Sequence, residues 1–407
     1  LWLFAATTLL SIALQNFFFA ALGLALFAAL RQGDWNGLRP ARVWPWVLPF
    51  LALSLVASFA SENRAHSLDT WKKWLLVAAL LWTPALAGNE RRVRALLGAL
   101  LFFSALWAVG ASVLALTGPF QAWHGGEALA SITQRWADVG EWRAVSGSGG
   151  YMVMGTGCML LLAFYGALAI EDASWRKPLP LLAMLALALG LLLTQTRGAW
   201  IGAALALGLL FLIRQPRWLL VLAAVALALL AWPQSPVRER LLQATDMSRD
   251  STRERVYMAQ AGLNIIRAHP WTGVGDAMET WESPAGLQLG FYRRYQPEAA
   301  KVWDTTRDQE HGHLHDDLIQ VAAMYGLPAL LALLLLFARL LGGAWRARRS
   351  AYPLARGLAW GSLAACLAWW VNGLVEYNFG SFQSSFTLWF LLGLGLCGAA
   401  LERGAEG

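Results

Sequence analysis

The sequence predicts an all-α integral membrane protein, and three observations carry that expectation. Apolar residues make up 57% of the 407 positions and charged residues only 14%, far from the balance of soluble domains. Runs such as LPLLAMLALALGLLLTQT at 179–196 can cross a hydrocarbon core about 30 Å thick. No span carries a regular strand alternation, so the spans read as helices, which satisfy their own backbone groups in lipid.

The apolar segments run, in order, over 2–30, 44–60, 71–88, 93–117, 150–170, 178–196, 199–213, 217–233, 317–341, 354–375 and 383–401. Gln15 and Asn16 can split the first, so 11–12 transmembrane helices are expected. Tryptophans at span ends, among them Trp44, Trp46, Trp71, Trp74, Trp123 and Trp232, suit an interfacial belt. Cys158, Cys366 and Cys397 all lie in apolar spans, where a cysteine acts as a small hydrophobe.

Basic residues in short loops set the orientation. Alternating the spans gathers Arg31, Arg39, Arg42, Arg91, Arg92, Arg94, Arg176, Lys177, Arg214, Arg217, Arg339, Arg346, Arg348, Arg349 and Arg356 on one face. That face is expected to be cytoplasmic, and the net charge of +7 then reflects topology rather than nucleic acid as a partner. The expected organisation is an N-terminal transmembrane bundle over 1–233, a hydrophilic outer loop over 234–316 and C-terminal transmembrane helices over 317–407. Within the first, the outer segment 118–149 contains ALASITQRWADVGEWRAV. Its spacing suggests an amphipathic helix on the membrane surface, anchored by Trp136 and Trp142. In the outer loop, Ser251 to Glu254 forms a capping box with Ser251 as N-cap. Val256, Ala259, Leu263 and Ile266 follow at helical spacing. The helix should stop near His269-Pro270, and GVG at 273–275 reads as a turn.

Charge meets the membrane in three places. Arg197, in TQTRGAW, stands between two apolar spans with almost no loop. It is either a snorkelling residue at a hairpin tip or a guanidinium waiting for an anion. Arg253, Arg255 and Arg267 on the loop helix are either solvated charges or phosphate ligands, since a guanidinium fork donates two parallel hydrogen bonds. Arg255 flanks the apolar stripe and can point toward the membrane. The third place is HGHLHDD at 311–317, whose alternating His311, His313 and His315 face one side if extended. Three readings stay open there: a zinc-type site, a solvated tract, or a general base at His315. Asp316 and Asp317 can orient that base or cap the next helix.

With these residues in place, the chain resembles the O-antigen ligase family, within the superfamily of O-antigen ligases and polymerases. The resemblance is carried by His315-Asp316, by Gly326-Leu327-Pro328 leading into a leucine-rich span, by TRGAW at 196–200, and by Arg255 ahead of MAQAGLNIIRAHPWTGVG at 258–275. It implies a GT-C-like glycosyltransferase with a large periplasmic loop containing helices. Such an enzyme works on the periplasmic face of a Gram-negative inner membrane, in lipopolysaccharide assembly. Its donor would be O-antigen on undecaprenyl pyrophosphate, its acceptor a sugar of lipid A–core, and its surroundings membrane lipids. By position, His315, Arg197 and Arg255 match the family's essential histidine and arginines, whereas His313, Arg253 and Arg267 match less certain positions. Asp316 departs from the family, which often has asparagine there. Arg293 and Arg294 are spare loop cations able to dock an acceptor phosphate. No cofactor and no metal are expected, since arginines take over the electrostatic role. The resemblance leaves room for a polymerase or a protein O-oligosaccharyltransferase. From another class, a lipid or sugar transporter would call for repeat symmetry and broken helices.

Overall fold

The computed structural model describes residues 43–87, 89–128, 131, 132, 135, 142–146, 150–232, 235–242, 250–276, 295, 297 and 313–405. Its helices are α1 (Trp44–Ala60), α2 (Arg64–Trp71), α3 (Ala79–Ala87), α4 (Glu90–His124), α5 (Gly150–Glu171), α6 (Pro178–Thr194), α7 (Arg197–Arg214), α8 (Arg217–Ala231), α9 (Pro236–Leu242), α10 (Asp250–Ala268), α11 (Asp317–Ala347), α12 (Pro353–Gly373) and α13 (Phe382–Ala405). No strand occurs among the described residues. Five helices, α4, α5, α7, α11 and α12, are long and apolar enough to cross a membrane, and α1, α6, α8 and most of α13 are shorter apolar helices. The expected span at 2–30, and with it the choice between eleven and twelve spans, lies outside the described residues.

Two expected boundaries differ. The 71–88 segment is broken, because α2 ends at Trp71 and a tight 3₁₀ stretch, Lys72–Ala78, precedes α3. Within that stretch Trp74 is clamped by its neighbours: its ring lies edge-on to Phe50 at 4.6 Å and its indole N–H donates to the Tyr325 hydroxyl at 3.1 Å. Further on, α4 continues past residue 117 to His124, taking up the start of the segment expected to lie on the membrane. Trp136 is outside the described residues, while the Arg135 guanidinium lies over the Trp142 ring at 4.6 Å.

The core is a bundle in which α5 is enclosed by α6, α7, α12 and α13. Small residues set how closely these helices approach, as lipid-embedded packing favours. On α7, for example, Gly202 brings the helix against the Ala368 carbonyl of α12. The opposite surfaces are apolar and exposed, such as Leu179, Leu182 and Leu185 on α6 and the whole of α8, which has no buried residue. Exposed apolar area on this scale belongs in lipid.

The irregular part of the bundle explains two of the sequence motifs. Pro328 lacks an N–H and crowds the carbonyl four residues back, and α11 breaks at Gly326, which adopts φ 81°. The break exposes the carbonyls of Ala323 and Met324. PWTGVG at 270–275 then lies alongside: Val274 N–H donates to Ala323 O at 3.0 Å, Gly275 N–H to Met324 O at 2.8 Å, and Leu327 N–H to Pro270 O at 2.8 Å. A side chain at Gly326 would collide with the Trp271 carbonyl, which lies 2.2 Å from where its Cβ would be. The strap is tied to the N-terminal helices as well. Ser61 Oγ donates to Val274 O at 2.8 Å and Asp276 N–H to Ser67 Oγ at 2.9 Å. The turn falls at 270–272, just ahead of the expected GVG, whose residues run along α11 instead, and α10 stops at Ala268 beside the expected His269-Pro270. It begins two residues earlier than expected, at Asp250, so Ser251 lies within the helix rather than capping it.

Candidate functional site

A polar cluster forms where the N-terminus of α11, the turn after α12 and one face of α10 meet. The chain leading into α11 is held by Asp316, whose Oδ1 accepts from Ile319 N–H at 2.8 Å. This carboxylate is the helix cap, and burial pushes it up from its ordinary range. The partner expected of it, His315, is bonded elsewhere: its Nδ1 lies 3.1 Å from Glu376 Oε2. Arg255 of α10 reaches the same carboxylate, with Nη2 at 2.8 Å from Oε1, and its Nη1 donates to the Val375 carbonyl. His313 completes the group, with its ring centroid 4.1 Å from that of His315 and 5.9 Å from that of Tyr377. The two rings lie together although the run is not extended, since the backbone bends at His313 and turns left-handed at His315.

Electrostatics fix the protonation pattern. Burial pushes the Glu376 carboxyl up, but the hydrogen bond from His315 and the Arg255 charge outweigh it and hold the group at about 2. His313 is driven down to about 3, first by burial and then by the neighbouring His315. An ionised carboxylate only accepts, so the proton of a neutral His315 ring sits on Nδ1, toward Glu376. Nε2 then keeps its lone pair. His315 also has φ 53°, in the left-handed region that bulky residues seldom adopt. Such conformations gather at functional sites when the surroundings hold them in place.

Glu376 is set by a second layer. Asp317, fully buried, accepts from Asn378 Nδ2 and from Phe379 N–H, both at 3.2 Å. Asn372 Nδ2 donates to Asn378 Oδ1 at 2.9 Å and to Thr156 Oγ1 at 3.0 Å. These bonds clamp both ends of the turn that carries Glu376 to α5 and α11.

The remaining expected residues distribute as follows. Arg197 opens α7, and Gly198 beside it abuts Asn372 and Val375, so the arginine borders the Glu376 turn. Its Nη1 lies 3.4 Å from the Arg240 carbonyl of α9. Arg267 is not brought to the cluster. It follows Arg255 by twelve residues on α10, about 18 Å along the axis, and bonds Asn264 at 3.1 Å. The Arg253 side chain, His311, Arg293 and Arg294 lie outside the description. Glu376 was not foreseen. The available signal was an acid in NGLVEYNFG, at the mouth of a span on the face assigned to His315, where ionisable groups are costly and tend to be functional. One ligand atom from each of His313, His315 and Glu376 lies within 4.8 Å of the others, close enough for these residues to hold a metal ion.

The fold and the cluster together define a class: a multi-pass, all-α membrane protein with a histidine–carboxylate–arginine centre at the mouth of its spans. Residues 182–334, from α6 to mid-α11, match the family model described as O-antigen ligase, which supports membership of the O-antigen ligase/polymerase family. Members of this family are glycosyltransferase-like enzymes. No curated protein matches the chain.

Proposed function

We propose that this chain is an O-antigen ligase, transferring polysaccharide from undecaprenyl pyrophosphate to a sugar of lipid A–core at the periplasmic face of a Gram-negative inner membrane. The observation that carries the reading is the Glu376 bridge, with His315 Nδ1 on one oxygen and Arg255 Nη2 on the other. The bridge leaves His315 Nε2 able to take the proton of an acceptor hydroxyl. That oxygen attacks the anomeric carbon as the carbon–oxygen bond to the diphosphate breaks, and the bonding pair leaves with pyrophosphate. One displacement inverts the anomeric centre. Arg255 spends only part of its five-donor fork on Glu376 and Val375, and its side chain is 31% exposed. It can therefore meet a phosphate oxygen, with Arg197 as the second cation. Donors fixed in a low-dielectric site stabilise the leaving charge better than water does.

The test is transfer by purified protein from a defined lipid-linked donor, with lipid A–core, a second lipid-linked glycan and a polypeptide offered as separate acceptors. Glycosylated lipid A–core is the expected product. Extension of the lipid-linked glycan alone would make the chain a polymerase, and a modified polypeptide alone would make it a protein O-oligosaccharyltransferase.

A further inference from the structure

We propose that His313, His315 and Glu376 form a three-ligand site for a divalent transition-metal ion of the zinc class, and that filling it shuts the transfer centre. The inhibitory half rests on the ligase reading, and the ion site does not. Two imidazoles and a carboxylate with mutual donor distances within 4.8 Å match the composition of open zinc sites, which use three protein ligands and leave one position free. The side chains of His315 and Glu376 are only 16% and 9% exposed, so the donors are held in place before an ion arrives. Outer support is present as well, in the Asp317–Asn378 and Asp317–Phe379 hydrogen bonds behind the turn. Such contacts orient ligands and tune affinity.

The same geometry says why the ion inhibits. Glu376 Oε2 and His315 Nδ1 are 3.1 Å apart and now share a proton. An ion seated between them takes Nδ1, and the ring proton then resides on Nε2. No lone pair remains there for an acceptor hydroxyl, so the base is lost without loss of the fold. Arg255 opposes the ion, because it draws on the same carboxylate and adds a positive charge. Arg255 and the metal therefore compete, which a purely structural role for the cluster would not produce.

The experiment uses tag-free, full-chain protein in lipid nanodiscs titrated with Co²⁺, read by its visible absorption and by displacement with Zn²⁺. One saturable equivalent is expected. His313→Gln and Glu376→Gln should each weaken binding by about tenfold or more, and Arg255→Gln should tighten it severalfold. Protein that shows no saturable Co²⁺ signal, or two ligand variants that bind as the parent does, would overturn the site. In transfer assays, saturating Zn²⁺ should lower the rate by about tenfold or more, with recovery in chelator. Transfer that disappears in chelator and returns with zinc would overturn the inhibitory assignment. Cobalt binding with no transfer to any acceptor would support the ion site while removing the ligase reading.

Discussion

Among the described residues, two buried glutamates each bridge two basic side chains, and they behave as opposites. Glu171, at the end of α5, accepts from Arg214 Nε at 2.5 Å and Nη2 at 3.0 Å, and from Arg356 Nε at 2.5 Å. It thereby ties α5, α7 and α12 together on the face opposite His315. Glu376 has one guanidinium and one imidazole, and its imidazole partner sits in an unfavoured backbone region. Replacing one permanently charged partner by a titratable ring turns a helix fastening into a centre able to move a proton. The lesson is that burial and pairing alone do not mark function. The identity of the second partner does.

The sharpest separation should come from the imidazole. His315→Ala removes a general base, a loss of about 10²- to 10⁴-fold in rate, with melting temperature nearly unchanged. Near-normal transfer by this variant would end the base assignment. Next, Arg255→Lys keeps the charge but cannot span Glu376 and a phosphate, so it should lose roughly one to two orders of magnitude, about 1.4 kcal/mol per tenfold. Full activity would refute the need for a planar fork. Glu171→Gln should do the reverse of His315→Ala. It leaves two guanidinium groups without their counter-ion, at a cost of about 2 kcal/mol once their partial exposure is allowed for. A lowered melting temperature with preserved rate per folded molecule is expected, and an unchanged melting temperature would deny it the fastening role.

The smallest effect is acid sensitivity. His313 titrates at about 3 in the folded protein, well below the ordinary value near 6.5, so unfolded chain takes up the proton first. The stability it supports is complete above about pH 6.5 and is lost as pH falls from there toward 3. Glu376, held at about 2, adds to the loss below about pH 4.3, its ordinary value. His313→Gln should flatten the decline in melting temperature between about pH 6.5 and pH 4.5. A slope equal to that of the parent would show that His313 is not neutral in the folded chain.

Much of this architecture was legible because its causes are local. Apolar runs mark spans, and Arg255 and His315 stand out as charges beside greasy sequence, whereas 317–341 reads as one span and the break at Gly326 comes from the structure. The strap was visible only in half, since Gly273 and Gly275 announce a turn without saying which carbonyls the turn serves. Those are created fifty residues later by a proline. Glu376 escaped for a related reason. Its partners lie 61 and 121 residues away, and its one local signal, an acid at a span mouth, is shared with solvated acids at span ends. For Asp316 the sequence left two roles open, orienting His315 or capping the next helix, and the structure shows the cap.

Under the proposed ligase reading, the strap along α11 constrains how a bulky glycan lipid can enter. Peeling PWTGVG away would leave the Ala323 and Met324 carbonyls and the Leu327 amide bare against hydrocarbon, at several kcal/mol for each. Helix α10 and the kinked helix α11 are therefore one mechanical body. A doorway for cargo has to open along some other seam.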